Sequence, residues 1–346
     1  MQALLGILFH AIGGFAAGSF YIPFNFIKKW SWESSWLVLG IAAWIFTPII
    51  IASFTVPNLI VVLTTAEGPV MYYTFLFGVL WGIGGLTFGL AMRYLGISLG
   101  MAVALGFCAA FGTLIPPIYY GTFSTLVQTS SGLIILAGVM VCLIGIGFCG
   151  KAGILKEKDL DSDQQKETVA EFNLPKGLIV AGISGILSAC FAFGLQAGKP
   201  IADVALEHGV NNIFQNNAVL VWILWGGFLT NFIWTIGLNI KNKSYKDYIN
   251  KESPRRTNAL WAAAGGITWY FQFFFYGMGA TFLGEKFDFA SWTLHMAFII
   301  LFSSFWGIYF GEWKGVSGKT FKTLMAGLIT IVFSTVLVGL GNLIDH

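Results

Sequence analysis

Charged residues are scarce in this sequence of 346 residues, and their scarcity argues against a soluble domain. They make up 10% of the chain, against about 25% in soluble domains, whereas 56% of the residues are hydrophobic. The alternating pattern of a membrane β-barrel is also absent, because the apolar runs are much longer than barrel strands. The composition therefore predicts an all-α integral membrane protein.

Motifs that would supply chemistry are absent as well. No GxxxxGK[ST] loop and no HExxH helix occurs, which excludes direct ATP hydrolysis and a zinc protease. The four cysteines lie in apolar runs without a CxxC pair or a Cys/His cluster, so neither a disulfide framework nor a metal site is expected. A net charge of only +3 indicates no nucleic-acid partner. We expect neither enzymatic activity nor a cofactor.

One glycine-rich run, GIGFCG at 145–150, matches the GxGxxG pattern of dinucleotide-binding folds. It ends an apolar run and follows no strand, whereas that pattern is meaningful only between a strand and a helix. We interpret its glycines as helix-packing positions, where small residues let two membrane helices approach closely.

Ten apolar segments are long enough to cross a bilayer, which takes about 20 residues in a helix. The first begins close to the N-terminus without a basic region before it, and it is interpreted as a retained helix and not as a signal peptide. The predicted spans are 3–27, 34–56, 70–92, 95–118, 131–150, 177–198, 214–239, 259–281, 289–310 and 321–343.

Basic residues concentrate in every second loop between these spans. The odd-numbered loops contain 17 of the 19 lysines and arginines, and the exceptions are Lys199 and Lys286. Because loops rich in lysine and arginine stay in the cytoplasm, the odd loops are predicted to be cytoplasmic. Both termini are then periplasmic.

The ten spans divide into two halves that resemble each other. We predict a first five-helix repeat at 1–150, a cytoplasmic linker at 151–176 and a second repeat at 177–346. Residues 81–96 align without gaps on 269–284, so that Trp81 matches Trp269, and 13–28 align on 184–199. Five is an odd number of spans, so the second repeat must be inverted in the membrane, an arrangement typical of secondary transporters.

Polar and aromatic side chains recur on single faces of several predicted spans, where polar groups are costly and usually functional. On the first span, helical spacing places His10, Tyr21 and Asn25 on one face. Most are neutral amides, hydroxyls and aromatic rings, which suit an uncharged sugar better than an ion. Trp32, Trp36 and Trp313 are instead interpreted as residues of the membrane interface. The candidate substrate-binding residues are Tyr21, Asn25, Gln196, Trp269, Gln272, Tyr276 and Trp292.

Three further residues are candidates for proton coupling, namely Asp288, His295 and His10. Asp288 and His295 are seven residues apart, which places them on one face of the ninth span. Histidine changes its charge near neutral pH, and chains of acidic residues and histidine are the usual form of a proton relay.

Several sequence motifs resemble those of the L-rhamnose–proton symporter family, within the drug/metabolite transporter superfamily. They are FYIPF and KKWSWE in 20–33, MRYLGISLG at 92–100, EFNLPKG at 171–177, WYFQFFFYGMG at 269–279 and DFASWTLHMAF at 288–298. The resemblance extends over essentially the whole chain. It implies a ten-helix inverted-repeat fold and proton-coupled uptake of L-rhamnose across the bacterial inner membrane.

Alternatives remain at this stage. The run GATFLGEKFDF at 279–289 departs from the family pattern, which leaves a related sugar such as L-fucose or L-lyxose open as substrate. Another member of the superfamily, exporting a neutral metabolite or a drug, is the second hypothesis. A membrane-embedded enzyme is disfavoured because the four histidines are scattered. We expect a monomer whose partners are the sugar, protons and membrane lipid.

Overall fold

The computed structural model describes residues 2–95, 97–119, 121–159, 173–284, 288–311 and 313–344, and these residues form helices and turns. Short 3-10 turns and one π-turn connect or interrupt the α-helices. The α-helices are α1 (Gln2–Ser19), α2 (Trp32–Ile41), α3 (Thr47–Thr55), α4 (Leu59–Thr65), α5 (Gly68–Leu95), α6 (Ile97–Tyr119), α7 (Phe123–Gln128), α8 (Ser130–Asp159), α9 (Leu174–Ala197), α10 (Lys199–Glu207), α11 (Asn217–Asn242), α12 (Arg255–Leu283), α13 (Asp288–Tyr309) and α14 (Gly318–Ile344).

Eight helical segments in the described part of the chain are long and apolar enough to cross a membrane. Multiple membrane crossings, as expected from the composition, are therefore confirmed. Two more helices occupy the positions of predicted spans, α6 with its apolar stretch Val103–Tyr119 and the 29-residue α12. The eight segments are Gln2–Phe26, Trp32–Thr55, Gly68–Ala91, Ser130–Lys156, Pro175–Glu207, Asn212–Asn242, Ala290–Tyr309 and Gly318–Gly341.

The second span contains a π-turn, Ala42–Phe46, between α2 and α3. Its cause is Pro48, which has no N–H to donate and whose ring crowds the carbonyl four residues earlier. The hydroxyl of Thr47 donates to the Ala42 carbonyl at 2.7 Å and so satisfies one of the displaced acceptors. The span thus continues through the proline, as proline in membrane helices permits.

The first span changes its geometry before its end. The α-helix α1 stops at Ser19, and a 3-10 turn, Ile22–Phe26, follows with Pro23 near its start. The expectation that Tyr21 and Asn25 continue the α-helical face of His10 was therefore wrong. A 3-10 turn has three residues per turn instead of 3.6, so the side chains after Ser19 rotate away from that face.

The chain divides into two compact units, and each unit draws segments from both halves of the sequence. Unit 1 contains 1–14, 84–189 and 279–346, and unit 2 contains 15–83 and 190–278. The boundaries fall inside four helices, α1, α5, α9 and α12. The chain therefore passes from one unit to the other within helices and not at a linker.

Close packing of α8 against α14 builds much of unit 1. A Cβ atom added to Gly145 would lie 2.7 Å from a side-chain carbon of Ile331 and 3.1 Å from the Gly327 carbonyl oxygen. Gly327 is equally restricted, because a Cβ atom there would lie 2.9 Å from the backbone nitrogen of Cys149. The interpretation of GIGFCG as a helix-packing run is confirmed at Gly145.

Hydrogen bonds join two basic loops at one end of unit 2. The carboxylate of Asp247 accepts from the Ser31 backbone N–H and the Ser34 hydroxyl, both at 2.8 Å. The side chain of Asn258 accepts from the Lys28 N–H and donates to the Lys28 carbonyl. The first and seventh loops between the predicted spans therefore lie at the same end of this unit.

The third, fifth and ninth loops meet in the same way in unit 1. Asp159 accepts from the Thr320 hydroxyl at 2.5 Å and from the Ser317 N–H at 2.8 Å, and these bonds hold the pKa of its carboxyl below the ordinary value. The Asn173 N–H donates to the Tyr94 carbonyl at 3.0 Å.

An apolar cluster that includes Ala3 and Leu283 packs the N-terminal end of α1 with the C-terminal end of α12.

Replacing Asp247 with alanine is expected to lower the free energy of unfolding by about 1.5–3 kcal/mol, because it removes two hydrogen bonds to a charged acceptor. Thermal unfolding of the purified protein in detergent measures this change. Asp203→Ala is the matched control, since Asp203 is an exposed carboxylate 3.8 Å from Lys199, and such surface pairs contribute about 0–1 kcal/mol. Equal effects of the two substitutions would contradict the structural role given to Asp247.

Candidate functional site

Trp269 on α12 stands at the centre of a group of aromatic rings in unit 2. Its ring centroid lies 4.5 Å from that of Phe20, in a stacked arrangement, 5.1 Å from Trp44 and 5.3 Å from Trp36. Trp44 is 1% exposed, whereas Trp36 and Trp269 are only half-buried. These rings come from three predicted spans, the first, the second and the eighth, and together they form an apolar wall.

The wall continues through a second set of rings. Trp81 on α5 lies 6.0 Å from Trp44, 5.4 Å from Phe191 and 5.3 Å from Phe273. Phe191 in turn contacts Tyr276, one helical turn beyond Gln272 on α12. We call the whole set the aromatic cluster, and its members are Phe20, Trp36, Trp44, Trp81, Phe191, Trp269, Phe273 and Tyr276.

Polar groups accompany these rings in unit 2. Gln272 is 6% exposed and shares the α12 face of Trp269 and Tyr276, since the three residues are spaced by three and four positions. The indole nitrogen of Trp44 and the side-chain oxygen of Gln196 are buried without a hydrogen-bond partner among the described residues. Buried polar atoms nearly always have a hydrogen-bond partner. An unpaired donor and an unpaired acceptor therefore indicate that a ligand or water supplies the missing hydrogen bonds.

Two predicted substrate-binding residues lie at the 3-10 turn that follows α1, Tyr21 immediately before it and Asn25 within it. Tyr21 is 45% exposed, its ring contacts that of Phe20, and its hydroxyl accepts from the Trp32 indole N–H at 3.1 Å. Tyr21 is thus linked to the aromatic cluster through Phe20. Asn25 is exposed, and sugar contact for both residues stays a prediction.

His10 and His295 are brought together inside unit 1. Their ring centroids are 5.9 Å apart, and the two side chains are 0% and 2% exposed. Gly279 makes room for one of them, because a Cβ atom at this position would lie within 2.9 Å of three atoms of the His10 ring. The structure therefore pairs two candidate proton-coupling residues whose proximity the sequence alone did not indicate.

The other two candidates on α13 have different surroundings. Trp292 belongs to unit 1, is 4% exposed, and donates its indole N–H to the Cys108 carbonyl at 2.9 Å. The indole N–H of Trp292 therefore already has an acceptor within the protein. Sugar contact by Trp292 stays a prediction. Asp288 begins α13, but its side chain lies outside the described part of the chain.

No three histidine, cysteine or acidic side chains among the described residues lie close enough together to bind a metal ion. The chemistry that these groups offer is therefore ligand binding by rings and amides in unit 2, and proton transfer by two imidazoles in unit 1.

Comparison with known proteins decides the family. The model of the L-rhamnose-proton symport protein (RhaT) family matches residues 1–343. This chain belongs to that family. Members of the L-rhamnose-proton symport family are transporters and not enzymes, so the expectation of a non-enzymatic membrane transporter is confirmed.

Relatives extend the match to individual proteins of the family. The L-rhamnose-proton symporter of Citrobacter koseri is 38% identical over 340 residues, 97% of each chain. The proteins of that name from Escherichia coli strain 55989 and Klebsiella pneumoniae strain 342 are also 38% identical over 97% of each chain. The resemblance seen in the motifs is thus confirmed at full length.

Several members of the aromatic cluster were missed or misassigned by sequence reasoning. Trp36 was interpreted as an interface residue, but it contacts Trp269 and donates its indole N–H to the Asn231 side chain at 3.1 Å. Two signals could have found these rings. Trp36 and Trp44 are eight residues apart, close to a helical repeat, and Trp81 is the repeat partner of Trp269 in the internal alignment.

Proposed function

We propose that this protein imports L-rhamnose, or a closely related deoxy sugar, together with protons across the bacterial inner membrane. The observation that carries the proposal is the match of the L-rhamnose-proton symport family over residues 1–343. Relatives named L-rhamnose-proton symporter, matched over 97% of their length, support the same substrate and the same coupling ion.

The aromatic cluster is the proposed sugar-binding wall. A hexose has apolar C–H faces that pack on aromatic rings, and the half-buried rings of Trp36 and Trp269 leave part of their surface available. A 6-deoxy sugar carries a methyl group at C6 where other hexoses carry a hydroxymethyl group, which makes it more apolar. A wall of eight rings therefore favours rhamnose over a fully hydroxylated hexose.

Amide and indole groups are proposed to pair with the sugar hydroxyls. The Gln196 oxygen accepts and the Trp44 N–H donates, so each can bind one side of a hydroxyl group. Gln272 supplies both a donor and an acceptor on the face of Trp269. Rejection of analogues that lack one hydroxyl is expected to follow, because such a ligand leaves a buried polar group of the protein unpaired.

The paired histidines are proposed to carry the proton. Two charged imidazoles 5.9 Å apart repel each other by about 3 kcal/mol at an effective dielectric constant of 20, so the pair favours a single added proton. We therefore propose one proton for each transport cycle. Asp288, at the start of α13, stays a candidate for the group that delivers the proton to His295.

Two helices connect the proposed sugar and proton residues within the sequence. α12 carries Trp269 and Gln272 and also Gly279, which adjoins the His10 ring, and α1 carries His10 and ends just before Phe20. A shift of α12 on sugar binding would therefore change the environment of His10. This is the proposed physical link between sugar occupancy and protonation.

The driving force is sufficient for uptake. Moving one charge through a potential of 100 mV releases about 2.3 kcal/mol, and each tenfold of accumulation costs about 1.4 kcal/mol. One proton for each sugar therefore supports about 40-fold accumulation before any pH gradient contributes.

We propose ten membrane spans with both termini in the periplasm. To the eight apolar segments we add α6 and α12, which have 23 and 29 residues and are therefore long enough to cross the membrane. The hydrogen bonds among odd-numbered loops support this count, because the first and seventh loops meet in unit 2 and the third, fifth and ninth meet in unit 1. A single miscounted span among the second to ninth would place loops that meet on opposite sides of the membrane.

The set of spans that each unit contains supports the proposed inverted repeats. Unit boundaries divide the first and third spans of each predicted half, since α1 and α9 begin the two halves and α5 and α12 are their third spans. Unit 2 adds the second span of each half, and unit 1 adds the fourth and fifth. Each unit therefore takes equivalent spans from 1–150 and from 177–346.

Single cysteines introduced into a variant without the four native cysteines are expected to report this topology. Lys243→Cys and Lys319→Cys should react with a membrane-impermeant maleimide only after the inner membrane is opened, because both lie in odd loops. Lys199→Cys should react in intact spheroplasts. Labelling of Lys243→Cys in intact spheroplasts would contradict the proposed orientation.

Uptake of labelled L-rhamnose by proteoliposomes tests the proposed function. We expect accumulation when the exterior is made acidic relative to the interior, and only equilibration when an uncoupler is present. L-fucose, L-lyxose and D-glucose as competitors define the substrate range. Export of a neutral metabolite as the physiological activity would be indicated if none of these sugars competed and no uptake occurred with correctly folded protein.

A further inference from the structure

A cleft with a volume of about 410 Å³ lies between α8 and α14 in unit 1, outside the residues proposed for sugar and proton. Its rim contains three lysines, one at the end of the fifth span and two in the first two turns of α14. The lining residues are Phe148, Lys151, Lys319, Lys322, Thr323 and Ala326.

The lysines of this cleft have no ion-pair partner in the part of the chain that the structure describes. All three side chains are exposed. The neighbouring carboxylate, Asp159, is held by the Ser317 N–H and the Thr320 hydroxyl at the start of α14. Three positive charges that face one cleft therefore favour an anion there.

Below the lysines the surface becomes apolar along both helices. Phe148 is 38% exposed, and Ile144, one helical turn deeper on α8, is 53% exposed. On α14, Ile329 and Phe333 are 64% and 54% exposed and continue the line from Ala326 toward the membrane interior. A cationic rim above exposed apolar side chains matches a phosphate group joined to acyl chains.

We propose that this cleft binds the phosphate of an anionic phospholipid whose acyl chains lie along α8 and α14. Basic pockets between membrane helices on the cytoplasmic side are suited to such headgroups. The three lysines belong to the loops with which the proposed topology faces the cytoplasm, so the ligand comes from the cytoplasmic leaflet. A free phosphate ion would contact only the lysines, whereas a phospholipid would also contact the apolar surface below them.

The test compares phosphatidylglycerol with phosphatidylcholine as ligands of the full chain in detergent, by thermal shift and by native mass spectrometry. Each lysine near an anionic lipid contributes about fivefold in affinity, so three contribute about 100-fold. We therefore expect the triple variant Lys151→Gln/Lys319→Gln/Lys322→Gln to bind phosphatidylglycerol about 100-fold more weakly, with unchanged binding of phosphatidylcholine.

A second triple variant is the matched control, Lys241→Gln/Lys246→Gln/Lys251→Gln, which removes the same charge from exposed positions in unit 2. It should retain phosphatidylglycerol binding within about threefold. The proposal is overturned if both triple variants lose binding equally, if neither does, or if inorganic phosphate stabilises the wild type as much as the lipid. Unfolding temperatures without added lipid show whether either variant is misfolded, and the single substitution Lys322→Gln, expected to weaken binding about fivefold, then replaces the triple variant.

Discussion

Replacing Trp269 with alanine is expected to lower the apparent affinity for L-rhamnose by at least about 30-fold. Its ring contacts Phe20, Trp36 and Trp44, so the substitution removes the centre of the wall against which the sugar is proposed to pack. Tryptophans at the centre of a binding surface commonly contribute about 2 kcal/mol or more once the ligand covers them, which corresponds to about 30-fold. Initial rates of labelled L-rhamnose uptake over a range of concentrations measure the change.

Trp261→Ala is the matched control for this prediction. Trp261 lies on the same helix, is 37% exposed, and stacks on Phe26 at 4.7 Å outside the aromatic cluster. Its loss is expected to change the apparent affinity by less than about threefold, whereas Trp269→Phe should recover part of the affinity. Equal affinities of Trp269→Ala and the wild type would remove the aromatic cluster from sugar binding.

Replacing His295 with glutamine is expected to abolish accumulation driven by a proton gradient while exchange of sugar across the membrane continues. The substitution preserves a polar side chain of similar size but removes the imidazole that is proposed to share a proton with His10, 5.9 Å away. Accumulation in proteoliposomes should therefore fall to the level seen with an uncoupler. Counterflow of labelled against unlabelled L-rhamnose should stay within about threefold of wild type.

His10→Gln should have the same effect, and the double variant should be no worse than either single one, because two members of one proton site act as a unit. His208→Gln is the matched control, since its ring already bonds the Val204 carbonyl within α10 and the neighbouring turn. Full accumulation by either single variant of the buried pair would show that the proton is carried elsewhere, and Asp288 would then be the next residue to substitute.

Multiple membrane-crossing helices could be predicted from the sequence, because the length of an apolar run in a spanning helix is set by the thickness of the bilayer. Local deviations of the backbone from the α-helix could not be predicted in the same way. The π-turn before Pro48 keeps α2 and α3 in one span, and the 3-10 turn after Ser19 rotates Tyr21 and Asn25 off the face of His10. Both deviations depend on how the freed backbone groups are satisfied, which periodicity does not describe.

The candidate site was only partly predictable for a related reason. A helical face tells which residues of one helix point together, as for Trp269, Gln272 and Tyr276, but not which other helix they meet. The pairing of His10 with His295 and the contact of Trp36 with Trp269 are tertiary facts of this kind. Sugar contact and proton coupling stay predictions for every candidate residue, including Asn25, Gln196, Trp292 and Asp288.

Proton movement that accompanies the sugar tests the central claim most directly. L-Rhamnose is added to de-energised proteoliposomes in weakly buffered medium, with the electrical potential clamped by potassium and valinomycin, and the external pH is recorded. Proton symport predicts a rise in external pH on addition of L-rhamnose, about one proton for each sugar, and no rise with D-glucose or with an uncoupler. Entry of labelled L-rhamnose without any change of external pH would contradict the account.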